Sequence, residues 1–140
     1  MFPKNTPKLD LSSIILRKMN SVAPSFRQLD FIIKEISNRM LDRLDYIKIT
    51  PQEVLDIGSG LGIDRVGLGL RYPKSAIYSI DFAVEMLKNH STKSGIFSKK
   101  YKNLLCANAL YLPIATQSMD LVWSNLCMPY INEIGQYFAE

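Results

Sequence analysis

The chain has 140 residues and a mass of 15.9 kDa, a length that fits one small domain. Its 47% hydrophobic and 21% charged residues exclude a disordered chain, a collagen and a coiled-coil rod. Seventeen Lys and Arg against 13 Asp and Glu leave a net charge of +4, too mild an excess to mark a nucleic-acid binder.

Residues 1–10 carry Pro3 and Pro7 among polar residues and read as a mobile tail. The N-terminal region holds only Ile14, Ile15 and Leu16 as an apolar run, too short for a secretory or membrane-spanning segment. With Cys106 and Cys127 forming no C-x-x-C pair, this suggests a reducing, cytoplasmic location, two buried thiols and no metal site. A short helix is expected over 12–20. A longer one over 25–47 follows from Leu29, Ile32, Ile33, Ile36, Met40, Leu41, Leu44 and Ile47 at three- and four-residue steps. Thr50-Pro51 breaks the chain. Val54–Ile57 reads as a buried strand, and residues 62–72 as a helix weakened by Gly67 and Gly69. Ala76–Ile80 is a second strand closing on Asp81, and residues 83–90 form a helix ending at His90, read as a surface or helix-end residue.

A polar connection over 91–102 carries Lys93, Lys99, Lys100 and Lys102. Leu104–Ala107 and Leu121–Trp123 are the third and fourth strands, with Trp123 turned into the core, and a last helix begins near Asn132. Alternating strands and helices predict an α/β fold with a parallel sheet.

Gly58-Ser59-Gly60-Leu61-Gly62 joins the first strand to the next helix, where backbone must turn tightly and a ligand approach closely. Asp81, at the end of the second strand, stands where nucleotide folds place a ribose-binding carboxylate. Ile63 occupies the third-glycine position of a dinucleotide fingerprint, and there is no P-loop. Asp56, two residues before Gly58, would repel a pyrophosphate and suit an ammonium group. S-adenosylmethionine has an ammonium, a carboxylate and a ribose and no phosphate, so the loop favours it over NAD.

On these residues the chain resembles the class I S-adenosylmethionine-dependent methyltransferases. VLDIGSGLG at 54–62 is similar to their first motif, Asp81-Phe82 to their ribose acid and its apolar neighbour, and 107–114 with 119–126 to the adenine-side loop and fourth strand. The helix end at 39–48 (RMLDRLDYIK), VLDIGSG and DLVWSNL are more narrowly similar to the malonyl-acyl-carrier-protein O-methyltransferases of biotin synthesis, over roughly residues 14–134. The resemblance implies a Rossmann-like methyltransferase fold with N-terminal helices, cut after about the fourth parallel strand, the later strands and a P-G-G turn being absent. Residues 1–50 would be the tail and lid-like helices, and 51–140 an incomplete S-adenosylmethionine-binding domain.

The resemblance also implies roles. Asp56 would orient the methionine ammonium, through a water or a backbone contact. Gly58, Ser59, Gly60 and Gly62 would admit the cofactor. Asp81 would take the ribose, Phe82 and Met86 would flank adenine, and Asn108 and Ala109 would meet its edge. Ser124 would face the cofactor and acceptor side, and Asn125 and Phe26 the substrate. Three positions depart from the family: Asn108 replaces a usual acid, Phe26 a hydroxyl-bearing aromatic, and Pro129 follows DLVWSNL near the acceptor pocket. A malonyl carboxylate, with a pKa near ~4, is ionised at neutral pH and needs no general base, which agrees with a single histidine. The partner implied is acyl-carrier protein, toward which the basic 93–102 loop could steer, or a small acceptor such as a quinone. An NAD-binding domain and an inactive methyltransferase-like module are the competing readings. In a 3-2-1-4 strand order the fourth strand, within the uncharged LVWSNLCM, would be an open edge through which the chain self-associates.

Overall fold

The computed structural model describes residues 11–90 and 103–140. The expected tail and the Lys93, Lys99, Lys100 and Lys102 cluster lie outside the described residues. Four strands, β1 (Glu53–Ile57), β2 (Ala76–Asp81), β3 (Leu104–Cys106) and β4 (Leu121–Ser124), form one parallel sheet in the order β3-β2-β1-β4. β1 lies in the middle. Its Val54 and Asp56 pair with Ile77 and Ser79 on one side and with Leu121 and Trp123 on the other. Asp120, just before β4, accepts hydrogen bonds from the Gln52 and Glu53 amides, which sets the entry of β4 beside that of β1.

The helices are α1 (Leu11–Val22), α2 (Asp30–Arg43), α3 (Ile63–Arg71), α4 (Val84–Lys88) and α5 (Ile134–Ala139). The single helix expected over 25–47 is three pieces: a 3-10 turn at Phe26–Leu29, α2, and a second 3-10 turn at Leu44–Tyr46. Ile47 is extended and exposed, beyond the helix, and Ile32 also faces outward. An apolar run of adjacent residues such as Ile32-Ile33 cannot all face one core; Ile33 is the one that turns inward.

Alternation along β1 divides the core. Val54 packs with Leu44, Leu68, Ile77 and Trp123 under α2 and α3, and Trp123 is buried there as expected. Leu55 and Ile57 pack on the opposite face with Ile80 and Ala109. A third cluster, Ala23, Leu61, Ala83 and Met86, joins α1 to α4. Gly67 faces α2: a Cβ there would collide with Leu41 Cδ1, so the Leu41 side chain would have to shift.

The two thiols are not both buried. Cys106 is exposed at the last residue of β3, and Cys127 is half-buried behind Gly58.

Candidate cofactor site

The parallel sheet carries the C-terminal ends of β1 and β2 to one side, where ligands of open α/β sheets bind. There the Gly58 and Ser59 amides both donate to the Ile80 carbonyl, at 2.8 and 3.0 Å, clamping the loop onto β2. Gly58, Gly60 and Gly62 all have positive φ, at 72°, 51° and 78°. Asp81 holds the next turn: one carboxylate oxygen accepts from the Gly60 amide at 2.9 Å and the other from the Ala83 amide at 2.8 Å. Burial raises its pKa, and these amide hydrogen bonds oppose the rise. A carboxylate has about four acceptor sites, so acceptor capacity remains for a ligand hydroxyl.

A cavity of about 180 Å³ opens over this loop. Gly58, Ser59, Gly60, Asp81, Phe82 and Met86 line it, together with Asn108, Ala109 and Asn125. Phe26 also reaches it, beside Met19 of α1 and Ile33 of α2, so the N-terminal helices form one wall. The α1 wall is fixed by Asn20, whose side-chain oxygen accepts from the Glu85 amide in the first turn of α4, where the N-cap residue Ala83 offers no side-chain cap.

Three expected residues stand elsewhere or are engaged otherwise. Asp56 does not line the cavity. β-strand alternation turns it to the α3 face, where it is 1% exposed beside Ser79, and burial first, then the charge of Asp64, raises its pKa well above the usual carboxylate range. Ser124 is turned to the opposite side: its hydroxyl donates to the Ile57 carbonyl at 3.2 Å and accepts from the Tyr137 hydroxyl at 2.7 Å. Asn108 lines the cavity, but its side-chain oxygen already accepts from the Leu110 amide two residues on, an Asx turn.

Two residues were missed by sequence reasoning. His90 follows α4 but is not on the surface. It is 7% exposed, neither ring nitrogen has a hydrogen-bond partner among the described residues, and burial first, then Arg65, lowers its pKa to about 4. Its ring fills the space beside Gly62: a Cβ there would lie 2.0 Å from His90 Cε1. Asp64, in the first turn of α3, is 6% exposed and lines the cavity. An acid two residues past the last glycine was its sequence signal. Asp64 and Asp81 are the only charged residues among the described cavity-lining residues, and none of those is basic.

Residues 55–140 match the family described as methyltransferase domain. The chain belongs to that family. It is 35% identical over 130 residues to the malonyl-[acyl-carrier protein] O-methyltransferase of Methylovorus sp. (strain MP688), covering 90% of this chain and 44% of that protein. It is 37% identical over 111 residues to the protein of the same description from Gallionella capsiferriformans (strain ES-2), covering 76% and 38%. The chain thus spans less than half the length of these curated relatives. Among solved structures, an S-adenosyl-L-methionine-dependent methyltransferase from Methanococcus maripaludis superposes with a TM-score of 0.60 at 20% identity, over 99% of this chain and 60% of that one. The plantazolicin methyltransferase BpumL, solved in complex with SAH, gives 0.58 at 18% identity over 88% and 46%. These two likenesses show the Rossmann-like methyltransferase fold. No described helix is long and apolar enough to cross a membrane.

Proposed function

We propose that this methyltransferase domain binds S-adenosylmethionine, and that the enzyme it belongs to O-methylates the malonyl carboxylate carried on acyl-carrier protein. The observation that carries the cofactor reading is the cavity's charge: two carboxylates and no basic side chain among its described lining residues. Such a site disfavours pyrophosphate and suits a ligand with a cationic centre and a ribose. The relatives' descriptions as malonyl-[acyl-carrier protein] O-methyltransferases support the acceptor.

When bound, the cofactor supplies the methyl group to an in-line displacement. The chain's own residues bind and orient. Asp81 takes the ribose hydroxyls with its free lone pairs, the glycine loop admits the backbone contact, and Phe82 and Met86 pack beside adenine. The wall of Met19, Phe26 and Ile33 keeps water from the reacting atoms. No base is required at a carboxylate acceptor, and the one histidine, His90, does not line the cavity. A cytoplasmic location fits biosynthetic chemistry of this kind.

A second reading, a module that binds cofactor without turning over the acceptor, is favoured by the lack of a cation in the described wall to meet a malonyl carboxylate. Calorimetric titration with S-adenosylmethionine followed by an assay on malonyl-acyl-carrier protein separates the two. Binding with turnover supports the first and binding alone the second. No binding removes both.

A further inference from the structure

Resting on the cofactor reading above, we infer that Asp64, held by Asn125, is a cation subsite that takes the ammonium of the cofactor's amino-acid portion, the role sequence reasoning gave to Asp56. Asp56 is sealed on the α3 face and does not reach the cavity. Asp64 does reach it. Its carboxylate is nine-tenths buried, and its partner is the Asn125 side-chain amide, at 3.2 and 3.4 Å to the two oxygens. The Asn125 amide occupies only part of the carboxylate's acceptor capacity, which leaves room for a ligand ammonium. The neighbouring Arg65 donates to the Ile77 carbonyl at 2.6 Å and to the Ser79 hydroxyl at 3.0 Å.

Topology separates the two cavity carboxylates. Asp81 ends β2, next to the Phe82, Asn108 and Ala109 side of the cavity. Asp64 opens the helix after β1, and Asn125 follows β4, on the far side of the sheet order. A ligand with its nucleoside over β2 and β3 brings its amino-acid end over β1 and β4, beside Asp64. Ser59, in the same wall, is buried with a hydroxyl that has no partner among the described residues, and it offers a second polar contact.

The test is calorimetric titration of the full chain and its Asp64→Asn variant with two ligands. S-adenosylhomocysteine carries the ammonium; methylthioadenosine has the same adenosine and thioether without the amino-acid portion. The variant should lose about tenfold to a hundredfold in affinity for S-adenosylhomocysteine and keep its affinity for methylthioadenosine. An unchanged ratio between the two ligands, or an equal loss for both, overturns the subsite while leaving the cofactor reading standing. A wild-type chain that binds neither ligand overturns the cofactor reading and the subsite with it.

Discussion

Gly62 and His90 show how closely the cofactor loop is fitted. Gly62 has a φ of 78°, costly for any residue with a Cβ, and its missing side chain leaves the space that the His90 ring fills. Gly62→Ala should destabilise the chain by about 2–4 kcal/mol in denaturant unfolding. Adding His90→Ala removes the clash and leaves the φ penalty, so the double variant should be less destabilised than the sum of the singles. His90 also makes stability depend on pH. Its folded pKa, about 4, lies below the unfolded value near ~6.5, so only the unfolded chain takes up the proton between them. Its contribution is complete above about pH 6.5 and is lost as pH falls toward 4. Relative to His90→Phe, the wild type should lose on the order of 3 kcal/mol across that window, measured by unfolding at each pH. A parallel pH dependence in both proteins would contradict this. The single histidine gave no sign of this in sequence, because its burial depends on α4 folding back onto Gly62, a contact between distant residues that no periodicity encodes.

At the scale of elements, local pattern and tertiary placement divide cleanly. β1, β2 and the glycine turn were readable because a short apolar run between Pro51 and Gly58, and another closing on Asp81, have few alternatives. The site assignments at Asp56 and Ser124 depended on which face of a strand each occupies. Asp56 and Ser124 lie on opposite faces of the sheet and neither lines the cavity. Where each strand ends relative to the glycine loop is decided by the folded sheet. The split of the 25–47 helix has a similar cause, since Leu44 is buried by tertiary packing after α2 has already ended. The hydrogen bond from the Glu85 amide to Asn20 is another long-range device. It substitutes a residue 65 positions away for a local cap. Asn20→Ala should cost about 1 kcal/mol in unfolding free energy and raise amide exchange in α1 and α4 together, whereas a change confined to α1 would argue against the cap.

For the whole molecule, β1 is the scaffold and β4 the exposed flank. Among the described residues β4 pairs only with β1, and Val122 is 56% exposed on it. An uncharged apolar edge invites strand pairing with another copy. The chain should therefore sediment as a species larger than a monomer at micromolar concentration, and Val122→Lys should shift it toward monomer. A monomeric wild type would contradict this. The open flank adjoins Tyr137 and Phe138 of α5, and the curated relatives are more than twice as long as their match to this chain. The cofactor face, by contrast, is built from elements this chain carries: the glycine loop, Asp81, the α1 wall and the Asp64–Asn125 pair. This face is the one proposed to bind S-adenosylmethionine. Isothermal titration of the chain with that compound tests it most directly. The expected result is saturable one-to-one binding that NAD does not compete for; no heat of binding, or displacement by NAD, would contradict it.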